Sequence, residues 1–84
     1  MPEQKITIYA TDWCWDCRRV RDFLDEHSIP YQWIDIDQDQ SGEAYVLRAN
    51  QGMRSVPTLV LIDGRVLVEP SIRSLAEAMD IETA

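Results

Sequence analysis

The chain has 84 residues, two cysteines and a formal net charge of −7, from 15 acidic and 8 basic side chains. This length fits one small domain, residues 1–84, with a single modest core. The negative charge argues against nucleic acid and anionic membrane surfaces as partners, because it would repel their phosphates. No apolar run approaches membrane-spanning length, and the first residues lack the basic-then-apolar pattern of a signal peptide.

The first predicted strand leads directly into the two cysteines. Residues 5–10 alternate polar and apolar side chains, as a strand does. Apolar side chains then recur at helical spacing, at Cys17, Val20, Phe23 and Leu24. The CxxC motif of Cys14 and Cys17 therefore lies at a strand-to-helix junction, which is typical of a thioredoxin-like redox motif. A disulfide between these cysteines would close a loop too short to constrain the unfolded chain much, so a structural role is disfavoured. A small secreted domain would usually carry several disulfides, and we therefore expect redox chemistry in a reducing cytoplasm.

The middle of the chain predicts a second strand and a second helix. Pro30 ends the first helical pattern, and residues 31–36 are typical of a strand. Ser41 is the predicted N-cap of the second helix, and Gly52 its predicted stop. An EF-hand starting at Asp35 would need Gly at position 40 and Glu at position 46, which are absent. We therefore interpret the alternating acidic residues from Asp35 as a solvated strand end and expect no metal site.

The last third predicts a hairpin and a final helix. Residues 58–62 are nearly all apolar, as in a strand buried on both faces. Asp63-Gly64 predicts a tight turn into residues 65–68, and Ser71 can cap the last helix. The resulting order is βαβαββα. A right-handed crossover would make the first two strands parallel, which predicts an α/β fold with a four-stranded mixed sheet flanked by three helices.

The chain resembles glutaredoxin-like members of the thioredoxin superfamily over nearly its whole length. The matching segments are Tyr9 through Cys17, Ile29-Pro30-Tyr31, Asp35-Ile36-Asp37, Val56-Pro57-Thr58 and Asp63-Gly64. The segment from Asn50 to Thr58, followed by Pro70-Ser71, looks most like the mycoredoxin branch. The resemblance implies a thioredoxin fold and a glutaredoxin-type thiol–disulfide oxidoreductase, acting on disulfide-bearing proteins.

The positions of the two cysteines suggest their roles. Thiol–disulfide exchange requires a thiolate, and Cys14 is expected at the N-terminus of the first helix, where free N–H groups and the helix dipole favour an anion. Cys17 lies one turn further in and should be more buried. Cys14 is therefore the predicted attacking thiol, and Cys17 the thiol that resolves the mixed disulfide.

Asp16, between the cysteines, allows two interpretations. Its carboxylate could oppose a negative charge on the Cys14 sulfur, with Arg18 and Arg19 compensating if they fold back towards it. Alternatively, Asp16 simply stabilises the helix N-terminus.

Aromatic and basic residues nearby are candidates for substrate binding. Trp15 is predicted to face outward as an apolar contact for a partner, whereas Trp13 could equally be core or contact. Trp33 is predicted to pack. Arg54 either faces the site and favours an anionic substrate, or is simply solvated.

The Val56-Pro57 pair acquires a role through the resemblance. In the resembled family this proline is cis and faces the CxxC motif. That geometry would leave the backbone groups of Val56 free to pair with an extended substrate. From the residues alone, Pro57 could merely begin a strand.

Two departures from the family pattern bear on the reductant. Glutathione-using glutaredoxins usually carry a lysine shortly before the CxxC motif and a Gly-Gly pair after the last strand. This chain has Ala10-Thr11-Asp12 and Val68-Glu69-Pro70 there. We therefore expect no bound cofactor and a low-molecular-weight thiol, mycothiol or glutathione, as co-substrate. Ser71 either contacts such a ligand or acts as a plain N-cap.

Four hypotheses for function follow. The first is a monomeric oxidoreductase that reduces protein disulfides or protein–thiol mixed disulfides. In the second, thioredoxin reductase supplies the electrons and the chain donates them to a reductive enzyme such as ribonucleotide reductase. The third is a metal or iron–sulfur protein, which would need two chains or external thiols because one CxxC supplies only two soft ligands. The fourth is a non-catalytic interaction module, which the two intact cysteines disfavour.

Overall fold

A computed structural model describes residues 5–81 of the chain. Its elements are β1 (Ile6–Ala10), α1 (Trp15–Glu26), β2 (Tyr31–Asp35), α2 (Gln40–Ala49), β3 (Thr58–Val60), β4 (Val66–Val68) and α3 (Ile72–Ala78). The predicted order βαβαββα is confirmed. None of the helices within residues 5–81 is long and apolar enough to cross a membrane.

The strands form one mixed sheet in the order β2-β1-β3-β4, with β1 and β2 parallel and the other pairs antiparallel. Ala10 pairs with Asp35, and Tyr9 pairs with Thr58. The last residues of β1 and β2 therefore meet the first residue of β3 at one end of the sheet, which we call the cysteine end. We call the opposite end, where the turn between β3 and β4 lies, the hairpin end.

Helices cover both faces of the sheet because the side chains of β1 alternate between them. Ile6, Ile8 and Ala10 are buried in a core shared with α1 and α3, to which Leu24 and Leu75 belong. The other face packs against α2, where the rings of Tyr9 and Tyr45 stack with centroids 4.7 Å apart.

Gly42 allows α2 to lie close to the sheet. A Cβ atom added at this position would stand 2.8 Å from Cγ2 of Ile34, closer than atoms normally approach. The sequence pattern gave no sign of this requirement, since a glycine inside a helix ordinarily weakens it.

The start of α2 differs from the prediction. The N-cap is Asp39 rather than Ser41, and its carboxylate accepts a hydrogen bond from the Gly42 N–H at 2.8 Å. Asp39 has an extended backbone and caps as well as serine does, so the helix begins earlier. At the other end, the Gly52 N–H donates to the Leu47 carbonyl at 2.6 Å, and Gly52 takes the left-handed φ of +88° that suits a helix stop.

The hairpin is confirmed, but β3 is shorter than predicted. It ends at Val60, and the Gly64 N–H donates to the Leu61 carbonyl at 2.9 Å to close the turn. Gly64 has a φ of +94°, which the turn requires. Ile62 is therefore in the turn and 55% exposed, so the prediction that residues 58–62 are buried on both faces is wrong there.

Candidate functional site

Cys14 lies immediately before α1, at its N-cap position, as its place in the sequence predicts. Its sulfur accepts a hydrogen bond from the Cys17 N–H at 3.2 Å. The residue is 9% exposed, which leaves a small accessible area at the cysteine end. A negative charge on this sulfur would be stabilised by the N–H group and by the positive end of the helix dipole.

Cys17 lies one turn further along α1 and is fully buried. Burial, followed by the hydrogen bond with Cys14, raises the pKa of the Cys17 thiol to about 12. Both thiols are free. Both sulfurs are buried, but their environments differ: Cys14 is at the helix N-terminus with a small exposed area, and Cys17 is fully enclosed as a neutral thiol.

Thr11 lies directly beneath the motif. Its carbonyl accepts from the Cys14 N–H at 3.4 Å, and its backbone also bonds Cys17, which partly opposes the rise in that pKa. Its side chain is fully buried, and Oγ1 has no hydrogen-bond partner in the described part of the chain. A buried hydroxyl without a partner is costly, and pattern reasoning had no means to find it.

The charged residues beside the cysteines interact with one another. Asp16 lies in the first turn of α1 and pairs with Arg19 at 3.8 Å, with both side chains largely exposed. Arg18 Nε donates to the carbonyl of Asp12 at 3.1 Å. In this arrangement Arg19 lies against the Asp16 carboxylate and Arg18 against the loop backbone, so Asp16 occupies the position of a helix-terminus carboxylate.

Both tryptophans that flank Cys14 are exposed, Trp13 by 68% and Trp15 by 72%. The outward position expected of Trp15 is therefore found, and Trp13 is not core either. Contact of either ring with a partner remains a prediction. Trp33 packs as expected: it is half-buried against the core, with the Arg21 guanidinium 4.9 Å from its ring centroid.

The Val56-Pro57 segment faces the CxxC motif. The peptide bond between the two residues is cis. Pro57 is buried, Val56 is half-buried, and the Val56 carbonyl oxygen lies 4.0 Å from the Cys14 sulfur. The fold thus brings Cys14, Val56 and Pro57 together at the cysteine end, although they are about 40 residues apart in the chain.

Arg54 does not project freely into solvent. Its guanidinium bonds to the carboxylate of Asp37, and its Nε donates to Glu43 at 2.8 Å. An anionic substrate would have to compete with both carboxylates for this cation. Binding of substrate by Arg54 remains a prediction.

Ser71 is the N-cap of α3. Its Oγ accepts from the Ser74 N–H at 3.0 Å and lies 3.0 Å from the Ser74 hydroxyl. The capping interpretation is therefore confirmed. Contact of Ser71 with a ligand remains a prediction and would use a hydroxyl that already has two partners.

Asp37 is the site residue that sequence reasoning missed. It follows β2, and its carboxylate accepts a hydrogen bond from the Trp13 indole N–H at 2.8 Å as well as bonding Arg54. We interpreted it above as part of a solvated strand end. Two signals pointed to it: Asp37 belongs to a segment that matches the family, and parallel pairing of β1 and β2 places the residues after both strands at the same end of the sheet. Within residues 5–81, no group of three or more metal-ligating side chains comes together.

Comparison with known proteins gives one consistent family. Residues 6–67 match the sequence profile of the glutaredoxin family. Mycoredoxin 1 of Corynebacterium glutamicum is 43% identical over 65 residues, covering 77% of this chain and 80% of the relative. A Mycobacterium tuberculosis protein whose name assigns it to the glutaredoxins is 38% identical over 66 residues, covering 79% of each chain.

The fold has a similar solved relative. A variant of the thioredoxin-like protein BC3987 superposes with a TM-score of 0.82 at 30% identity, covering 95% of this chain and all of the other. The four-stranded mixed sheet with three helices is thus a thioredoxin fold.

Proposed function

Since this chain belongs to the glutaredoxin family and is a glutaredoxin-type thiol–disulfide oxidoreductase, we propose that Cys14 and Cys17 carry out its reaction. The substrates are protein disulfides, or mixed disulfides between a protein and a low-molecular-weight thiol. The observation that carries the assignment is the contrast between two buried sulfurs: Cys14 is the N-cap of α1 and keeps a 9% exposed fraction, whereas Cys17 lies one turn inside α1, is fully buried and is a neutral thiol.

The reaction starts when the Cys14 thiolate attacks one sulfur of the substrate disulfide. A bond forms between Cys14 and that sulfur, the substrate S–S bond breaks, and the other substrate sulfur leaves as a thiolate that takes up a proton. In the dithiol route, Cys17 loses its proton, attacks the Cys14 sulfur and expels the second thiolate. The substrate has then gained two electrons, and Cys14 and Cys17 form a disulfide.

Cys17 is a poor nucleophile as long as it keeps its proton, and burial favours the protonated form. A pKa of about 12 means that very little Cys17 thiolate exists at neutral pH. An external thiol can instead attack the mixed disulfide on Cys14, which is the monothiol route. We propose that both routes begin at Cys14 and that the leaving thiolate helps to deprotonate Cys17 in the dithiol route.

Mycothiol or glutathione is the proposed co-substrate, with no cofactor bound. The similarity to Mycoredoxin 1 favours the former. Two features disfavour binding of the two carboxylates of glutathione: the acidic Glu69 stands in place of a family glycine, and Arg54 is already paired with two carboxylates.

The proposed substrate-binding residues are Trp13, Trp15, Asp16, Arg54, Val56, Pro57 and Ser71. We further propose a monomer that acts as one domain in the cytoplasm, without nucleic-acid or membrane partners.

The experiment compares reductants for the Cys14–Cys17 disulfide. Oxidised protein and NADPH are supplied in separate cuvettes with thioredoxin reductase, with mycothiol and its reductase, or with glutathione and its reductase. We expect NADPH consumption with a low-molecular-weight thiol. The two serine variants cannot form the Cys14–Cys17 disulfide, so they are assayed with a peptide–thiol mixed disulfide as substrate, on which turnover should be lost in Cys14→Ser and retained in part in Cys17→Ser. Turnover with thioredoxin reductase alone would favour an electron donor to a reductive enzyme instead.

A further inference from the structure

Four polar side chains form a continuous set of contacts at the cysteine end, which we call the Asp37 bridge: Trp13, Asp37, Arg54 and Glu43. The Trp13 indole N–H donates to one carboxylate oxygen of Asp37 at 2.8 Å. The Arg54 guanidinium bonds to the other oxygen, and its Nε reaches Glu43 at 2.8 Å. These pairs are 24, 17 and 11 residues apart in the chain, so the bridge is entirely tertiary.

The bridge joins the two segments that flank the reactive sulfur. Trp13 immediately precedes Cys14, and Arg54 lies two residues before Val56, whose carbonyl oxygen is 4.0 Å from that sulfur. Neither Trp13 nor Arg54 belongs to a helix or strand. Regular backbone hydrogen bonding therefore does not fix the distance between the two segments, whereas the Asp37 carboxylate contacts both.

As an anion, Asp37 offers a negatively charged oxygen to each of its two donors. The hydrogen bonds from Arg54 and Trp13 lower the pKa of its carboxyl group, so it stays ionised at neutral pH. An ionised carboxylate offers one oxygen to each donor. The Trp13 ring is thereby held by its N–H edge while remaining largely exposed, so its orientation is set before a partner arrives.

We propose that Asp37 is a positioning residue for the thiol–disulfide reaction: its carboxylate holds the Trp13 indole and the Arg54–Val56 segment in place on either side of Cys14, where the substrate chain binds. This inference rests on the proposed function of Cys14. It assigns to Asp37 an effect on substrate binding rather than on the sulfur itself.

The test replaces Asp37 by asparagine, which keeps the shape but offers only one acceptor oxygen and turns N–H groups towards one of the two donors. With a peptide–thiol mixed disulfide as substrate, Asp37→Asn should raise KM about fivefold and change kcat less than about twofold, as loss of preorganised binding requires. The rate of Cys14 alkylation by iodoacetamide should not change. Asp22→Asn makes the same charge change on an exposed face of α1 and should leave both kinetic constants as they are.

Trp13→Phe provides a second, independent variant because it keeps an aromatic ring and removes only the indole donor. If the bridge acts as a unit, the double variant Asp37→Asn/Trp13→Phe should have a KM no higher than the worse single variant. Multiplied effects in the double variant, an unchanged KM in Asp37→Asn, or an equal rise in Asp22→Asn would each overturn the proposal. A changed alkylation rate would also overturn it, since Asp37 would then act on the sulfur.

A spectroscopic readout separates failure of the bridge from failure of the proposed function. The chain has three tryptophans, and Trp13→Phe identifies the Trp13 indole N–H resonance in a ¹H–¹⁵N spectrum. The chemical shift of that resonance should change in Asp37→Asn. In the unsubstituted protein it should change with pH as Asp37 titrates, with a pKa below the usual range of an aspartate. If it does so in a protein that reduces no mixed disulfide, the bridge exists but the function is wrong. If it ignores Asp37 in an active protein, the function stands and the bridge is wrong.

Discussion

The two ends of the sheet each carry an arginine bonded to an acidic side chain, but the arginines connect different things. At the cysteine end, Arg54 bonds Asp37 and Glu43, which are 17 and 11 residues away. At the hairpin end, the ion pair of Arg65 with Asp63 spans only two residues, and the link of Arg65 to a distant segment is a hydrogen bond to the Ala78 carbonyl, 13 residues away, at 2.5 Å. An ion pair between distant segments constrains the distance between those segments, whereas an ion pair within a turn only makes that turn more rigid.

Exposed apolar side chains occur at both ends. Trp13 and Trp15 are exposed at the cysteine end, and Ile62 is exposed in the turn at the hairpin end. The hairpin end has a cavity of about 360 Å³, whose lining includes Ile6, Leu61 and Met79. Both ends could receive an apolar group, but only one has a sulfur at a helix N-terminus. The two ends are therefore distinguished by the reactive sulfur and the long-range ion pairs around it, and not by their apolar surface.

The largest expected contrast is chemical. Cys14→Ser should abolish turnover of a mixed disulfide, because a serine oxygen cannot form the required disulfide with the substrate. Met79→Leu, a conservative change at the hairpin end, should leave turnover within about twofold. Steady-state rates with one substrate measure both. Residual turnover in Cys14→Ser would mean that another group attacks the substrate.

The buried thiol at the cysteine end should make stability depend on alkaline pH. The pKa of Cys17 is raised to about 12 in the folded protein, against about 8.5 for a free cysteine. The unfolded chain therefore loses this proton first, and stability should fall from about pH 8.5 towards pH 12, by about 1.4 kcal/mol for each unit of pKa difference at most. Below about pH 8.5 the effect should be absent.

Urea unfolding of the reduced protein against Cys17→Ala, at intervals between pH 7 and pH 11, isolates this contribution, since the tyrosines titrate in both proteins. The difference in unfolding free energy should be constant up to about pH 8.5 and then shrink. Two curves that stay parallel up to pH 11 would show that Cys17 is not a buried neutral thiol.

Removing each arginine should separate a binding effect from a structural one. Arg54→Ala should raise KM for a mixed disulfide about fivefold, because Asp37 loses its cationic partner and the Val56 segment loses its anchor. Arg65→Ala should leave KM unchanged and lower the unfolding free energy by about 1 kcal/mol through the lost bond to Ala78. Steady-state kinetics and urea unfolding of both variants measure these effects. If Arg54→Ala and Arg65→Ala have the same KM, the arginine at the cysteine end has no special effect on substrate binding.

The last expected contrast concerns two fully buried threonines at the cysteine end, whose replacement should change stability in opposite directions. Thr11→Val should raise the unfolding free energy by about 1 kcal/mol, because the Thr11 hydroxyl has no partner within residues 5–81. Thr58→Val should lower it by about 1–2 kcal/mol, because the Thr58 hydroxyl donates to the Ser55 carbonyl at 2.8 Å and accepts from Asn50 at 3.2 Å. Thermal or urea unfolding measures both, and opposite signs are the expected outcome.

Local patterns predicted much of this molecule correctly. The alternation in β1 and the helical spacing from Cys17 identify the first βα unit and place Cys14 at a helix start. Asp63-Gly64 predicts the hairpin, and Ser71 the cap of α3. These predictions succeed because each depends on contacts within a few residues. The N-cap of α2 was missed by two positions, since Asp39 and Ser41 are both good caps and the local pattern does not distinguish them.

By itself, the sequence determined the order of the elements, the CxxC motif and the glutaredoxin resemblance, because chain neighbours and short spacings encode all three. The family resemblance implied that the Val56-Pro57 segment faces the cysteines, but only the tertiary structure decided the other contacts around them. The Thr11 hydroxyl, which has no hydrogen-bond partner within residues 5–81, and the double role of Asp37 arise where β1, β2 and β3 converge. Residues that meet across a sheet share no periodicity in the chain, so a local sequence pattern cannot predict these contacts.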